Sequence, residues 1–76
     1  MNELIEINPE VMLGKPVIKG TRIPVEIIVR KLGEGSTIEA LLDGYPHLNR
    51  EAIMAALIYA ADLIKNERFI ELKTGT

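Results

Sequence analysis

The polar and apolar positions of this chain change period along its length, and the changes mark its elements. Leu4-Ile5-Glu6-Ile7 alternates well enough to be a short strand, and Asn8-Pro9 closes it with a turn signal. Pro16-Val17-Ile18 is rich in β-branched residues and flanked by turn formers, so it is expected to pair antiparallel with Ile5–Ile7 across residues 9–15, with Pro16 at the strand start or on an edge. From Pro24, which suits the first position of a helix, the period becomes helical. Ile27, Ile28 and Leu32 form one stripe, Glu26, Arg30 and Lys31 lie mostly outside it, and Gly33 and Gly35 stop the helix. Ser36-Thr37-Ile38-Glu39 has capping-box spacing, with Ser36 as the cap of a short second helix that carries Ile38, Leu41 and Leu42 and ends at Gly44-Tyr45-Pro46. Asn49 is placed to cap the third and longest helix, about Arg50 to Lys65, and Glu51 sits well against its dipole.

The third helix departs from ordinary amphipathicity. Ala52 through Ala61 holds no charge, and ten helical residues circle the axis more than twice, so apolar side chains point in every direction. One stripe, Ile53, Leu57, Ala60 and Ile64, is expected to pack on the first two helices. The other, Met54, Ile58 and Ala61, then needs a second partner, and the simplest is another copy of the same chain. Beyond Asn66 the pattern dissolves: Phe69, Ile70 and Leu72 alternate with Arg68, Glu71 and Lys73. Three readings of this tail stay open: a swapped strand, a segment that orders on a partner, or a frayed end. The pattern predicts a single domain over residues 1–76: a β element over 3–24, a helical core over 24–66 and a tail over 67–76. Its class is mostly α, a compact three-helix bundle behind a short N-terminal β-hairpin.

Size and composition narrow this picture. At 76 residues the chain is near the length below which one core supplies only a few kcal/mol, which makes burial against a partner useful. A hydrophobic content of 47% excludes a disordered solvating chain. With no cysteine there is no disulfide framework and no thiolate metal site, as suits a reducing cytoplasm. The first residues are acidic rather than basic, and no apolar run approaches the ~20 residues needed to span a bilayer. The expected location is therefore the cytosol, without membrane association.

Charge is unevenly placed. The net charge is -2, which argues against non-specific coating of nucleic acid, yet Val11 to Val25 contains Lys15, Lys19 and Arg22 and no acid. Lysines on an exposed strand edge also discourage sheet-to-sheet aggregation, so a purely solvated face accounts for them equally well. The alternative is a surface that contacts phosphates or an acidic partner.

Enzyme chemistry is not expected. The single histidine, His47, lies in a turn beside Pro46, and Ser36 is better placed as a helix cap than as a nucleophile. There is no Asp/Glu grouping with metal-ligand spacing, since Asp43 and Asp62 stand alone. Gly14 and Gly20 lack a following Gly-Lys-Ser/Thr, so neither belongs to a phosphate loop, and no cofactor is implied.

The string Gly14-Lys15-Pro16-Val17-Ile18-Lys19-Gly20-Thr21-Arg22-Ile23-Pro24-Val25, followed by Leu32-Gly33-Glu34-Gly35-Ser36 and Tyr45-Pro46-His47-Leu48, resembles the bacterial family called domain of unknown function 433 from about Asn8 to about Ala61. The resemblance implies a homeodomain-like, helix-turn-helix core, and some members look like VapB-type antitoxins paired with PIN-like ribonuclease toxins. In a helix-turn-helix the later helix offers its first turn to base edges, which here places Asn49 and Arg50 at double-stranded DNA. Lys15, Lys19 and Arg22, doubled in a homodimer, would instead meet DNA as a β-ribbon does. A carboxylate-lined nuclease site would suit the basic face, or Arg68 reaching from the tail beside Phe69 and Ile70. Two functions follow as expectations. One is a DNA-binding antitoxin that dimerises through Met54, Ile58 and Ala61, binds its operator and neutralises a nuclease. The other is a protein-interaction module of the same shape that reads no DNA.

Overall fold

The computed structural model describes residues 3–66. Two strands, β1 (Ile5–Ile7) and β2 (Pro16–Ile18), pair antiparallel with Ile5 opposite Ile18 and Ile7 opposite Pro16. Three helices follow: α1 (Val25–Gly33), α2 (Ile38–Gly44) and α3 (Arg50–Asn66). Pro24 stands one position earlier than expected, as the N-cap of α1 with extended ψ of 145°. Lacking an N–H, it instead closes an isolated antiparallel bridge with Val17.

The loop from β2 to α1 explains the Gly-Thr-Arg-Ile-Pro string in structural terms. The Thr21 N–H donates to the Ile18 carbonyl at 2.9 Å, and Gly20 takes φ +79° in the third position of this turn, where a type II turn demands a positive value. The Thr21 hydroxyl then joins both sides of the loop, donating to the Ile18 carbonyl at 2.7 Å and accepting from the Ile23 N–H at 3.0 Å. Thr21→Val keeps the shape but leaves the Ile23 N–H without its partner and the Ile18 carbonyl with only the Thr21 N–H. The expected cost is about 1–3 kcal/mol, read as a melting temperature lowered by about 4–8 °C per kcal/mol. Thr21→Ser should recover most of it, and equal melting of the valine and serine variants would refute the role.

Between α1 and α2 the structure corrects the expected cap. The Gly35 N–H donates to Leu32 and the Ser36 N–H to Lys31, at 3.1 and 2.9 Å, which is a Schellman closure with Gly35 at φ +105°. Ser36 therefore belongs to the end of α1, and Gly33 lies inside that helix. Thr37 caps α2, its hydroxyl accepting from the Ala40 N–H at 3.0 Å. Asn49 caps α3 as expected, its side-chain oxygen accepting from the Ala52 N–H at 2.8 Å.

The core gathers one contribution from each element: Ile5 and Ile18 from the hairpin, Val25 and Ile28 from α1, Leu41 from α2, Leu48 from the α2–α3 turn, and Ala52, Ile53 and Ala56 from α3. Ile28 and Ile53 are wholly enclosed, whereas Ile27 is only half-buried. The buried arc of α3 also differs from the expected stripe. Ile53 is at its edge, Leu57 and Ala60 are half-buried, and Ile64 is 59% exposed, while Ala52, Ala55 and Ala56 are buried. At about 100° per residue the arc centres near Ala56. Alanine lets neighbouring backbones come close, and α3, at 17 residues, outruns the nine of α1 that would have covered Ile64.

Candidate functional site

The three cations of the hairpin meet different fates. Lys15 is ion-paired with Glu26 of α1 at 3.3 Å, an acid that the local sequence does not contain. Lys19 inside the type II turn and Arg22 just after it are exposed, and no described residue forms an ion pair with either. One acid approaches the turn itself: Glu6 of β1 accepts from the Gly20 N–H at 3.4 Å. The tertiary fold thus reduces the basic run to two available cations.

The first turn of α3 is also occupied. Arg50 pairs with Glu39 of α2 at 3.0 Å, and this hydrogen bond from the guanidinium holds the Glu39 carboxyl below the usual carboxylate range. Asn49 spends its side-chain oxygen on the cap. Both residues nominated for base reading therefore hold the α2–α3 corner together. The structure shows no contact joining them to Lys19 or Arg22.

The expected second face of α3 is present and bare. Met54 is 38% and Ile58 57% exposed, and Ala61 is exposed with them. They lie within about 60° of one another on the side of the helix opposite the buried arc. Leu63 and Ile64 add exposed apolar surface nearer the helix end, where they border a groove of about 480 Å³ between α1 and α3. Arg68, Phe69 and Ile70 lie outside the described residues.

One exposed apolar residue escaped the sequence reading. Met12, Leu13 and Gly14 form a 3-10 turn in which all three take positive φ, 51°, 58° and 83°. Leu13 is 93% exposed. Left-handed conformations cost a non-glycine residue roughly 1–2 kcal/mol. The only sequence cue was Gly14, which marks the end of the turn but not the residue it displays. Among the described residues no polar side chain is buried and no group of three metal-ligating side chains is assembled.

These features define a small three-helix domain with a cation-bearing turn and an uncovered apolar flank on its longest helix. The chain belongs to the family described as "Protein of unknown function (DUF433)", which matches residues 5–60. It is similar to the uncharacterized protein y4eO of Sinorhizobium fredii, 36% identical over 58 residues, which make up 76% of this chain and 26% of that protein. The chain thus corresponds to about a quarter of that relative's length. It is also similar to an uncharacterized protein of Archaeoglobus fulgidus, 61% identical over 28 residues, 37% of this chain and 78% of that one. Among solved structures, a DUF433 member from Anabaena variabilis superimposes with a TM-score of 0.75 at 33% identity, covering 96% of this chain and 69% of that chain. Among the described residues no helix is long and apolar enough to cross a membrane.

Proposed function

We propose that the chain is a non-catalytic, antitoxin-like regulator. It dimerises through the outer flank of α3, meets operator DNA with the Lys19–Arg22 turn of each copy, and restrains a nuclease of PIN type. The observation that carries this reading is the bare Met54-Ile58-Ala61 flank, because a helix that has already filled its core face and still exposes large apolar groups is built to be covered. The resemblance of the Gly14–Val25 string to a family with antitoxin-like members supplies the partner class. The DNA contact moves from the first turn of α3 to the hairpin, since Arg50 and Asn49 are engaged at the corner while Lys19 and Arg22 are not.

A second reading has its own support. Glu26 neutralises Lys15, Glu39 neutralises Arg50 and Glu6 sits at the cationic turn, so the domain offers little net positive charge to a duplex. On that reading the domain binds protein alone. Titration of the DNA upstream of its own gene separates the two. Two cations per copy give about four phosphate contacts in a dimer, hence a slope of log K against log salt near about -3.6. Lys19→Ala with Arg22→Ala should remove most of that slope and the binding. No binding at low salt, together with co-purification of the protein encoded next door, would discard the DNA-binding half and leave the interaction module.

A further inference from the structure

The turn between β2 and α1 leaves one backbone donor over. The Lys19 N–H donates to the Leu4 carbonyl and the Thr21 N–H to the Ile18 carbonyl, at 2.8 and 2.9 Å, so the backbone takes up both neighbours of Gly20. Among the described residues the Gly20 N–H reaches only the Glu6 carboxylate, at 3.4 Å. Such donors ordinarily sit about 2.9–3.0 Å from their acceptors, so Glu6 holds this one weakly. Lys19, just before Gly20, and Arg22, shortly after it, are exposed, and no ion pair joins either to Glu6. A methyl group built on Gly20 would meet no other atom within 4 Å, which leaves the tip of the turn open to an incoming ligand.

We infer that the Gly20 N–H, Lys19 and Arg22 form a phosphate-binding site and that Glu6 is its internal competitor, a carboxylate that a phosphate displaces on entering. Glu6 is fixed to β1 and takes up the N–H without pairing with either cation, whereas the free oxygens of a phosphate can accept from all three. Hydrogen bonds that involve ionised groups are roughly twice as strong as neutral ones, so the exchange favours a ligand that engages both cations. The carboxylate also sets a threshold. A phosphate that approaches without reaching Lys19 and Arg22 meets only its repulsion, which restrains the non-specific binding that two exposed cations would otherwise support. The site deepens the proposed DNA contact, on which it rests, by naming the group that holds its affinity in check. A duplex backbone and the free ion offer the same phosphate oxygens, and one titration with each separates them.

The test follows the isotope-labelled full chain by nuclear magnetic resonance, titrated with inorganic phosphate and separately with the duplex upstream of its own gene, at constant ionic strength of about 0.1 M. In the unaltered chain the Gly20 amide and the Glu6 carboxyl-carbon signals are expected to move together with either probe. Glu6→Gln keeps an oxygen that can accept from the Gly20 N–H but removes the charge. It should tighten both interactions roughly fivefold per turn, the factor that one unit charge at about 4 Å is worth in water. Glu10→Gln makes the same change of charge in the connection at the opposite end of the hairpin, where screening should leave both affinities unchanged. The amides of the enclosed Ile28 and Ile53 should keep their positions throughout and report an intact fold. A Gly20 amide unmoved by either probe, or a Glu6 signal that stays still while Gly20 moves, would overturn the inference. Duplex binding of equal strength in the unaltered chain and Glu6→Gln would overturn it too, while leaving the DNA-binding reading standing. Movement with phosphate but not with the duplex would support the site and discard that reading.

Discussion

Ile53→Ala is expected to abolish the cooperative thermal transition of this protein, or to bring its midpoint near room temperature. Ile53 has no accessible surface and belongs to the one core cluster to which the hairpin and all three helices contribute. Truncating an enclosed isoleucine removes transfer free energy and leaves a cavity that the surroundings only partly close, at a cost of about 2–5 kcal/mol. A single core in a domain of this size supplies roughly 3–5 kcal/mol. The substitution therefore takes most of the available stability. Ile64→Ala is the matched control, because it makes the same chemical change on the same helix at a position 59% exposed, and exposed substitutions usually stay within about 0.5 kcal/mol. Circular dichroism melts of the two variants decide the matter, and similar midpoints would show that the buried arc of α3 is wrongly placed.

Ile58→Asp is expected to convert the proposed dimer to a monomer while leaving the folded subunit intact. Full burial of an isoleucine side chain contributes about 1.5–3 kcal/mol, and 57% of Ile58 remains to be covered, which leaves about 1–1.7 kcal/mol per copy. In a two-fold symmetric dimer each substitution counts twice. The loss is then about 2–3.4 kcal/mol, roughly 30- to 300-fold in the dissociation constant, before the added penalty of drawing a carboxylate into the interface. The helix itself gives up no more than about 0.7 kcal/mol of propensity. Sedimentation of the unaltered chain and the variant across micromolar concentrations reads the change in mass, with the melting curve confirming the fold. If the unaltered chain is already monomeric, the flank of α3 awaits a different partner and the dimeric regulator fails.

Much of this architecture was legible locally. Alternation in Leu4–Ile7 and the β-branched run at Val17-Ile18 marked the hairpin, and Asn49 announced the start of α3 through a side chain that reaches only three residues ahead. The cap of α2 was misassigned for an instructive reason. Ser36 and Thr37 are chemically near-equivalent caps, and what separates them is that the Ser36 N–H is already committed to the last turn of α1. The arc of α3 was misjudged because a helix apolar on all sides has no preferred face until its neighbours are placed.

By itself, the sequence determined the order of the two strands and three helices, the cap of α3, and the fact that α3 is apolar on more than one face. These depend on backbone geometry and on groups within a few residues of each other. Only the tertiary structure decided which charges are available, because Glu26, Glu6 and Glu39 reach Lys15, the Gly20 turn and Arg50 across 11 to 14 residues of chain. The same holds for the groove and for the exposed Ile64. Both arise from the unequal lengths of two helices packed side by side, a relation between elements that no single stretch of sequence contains.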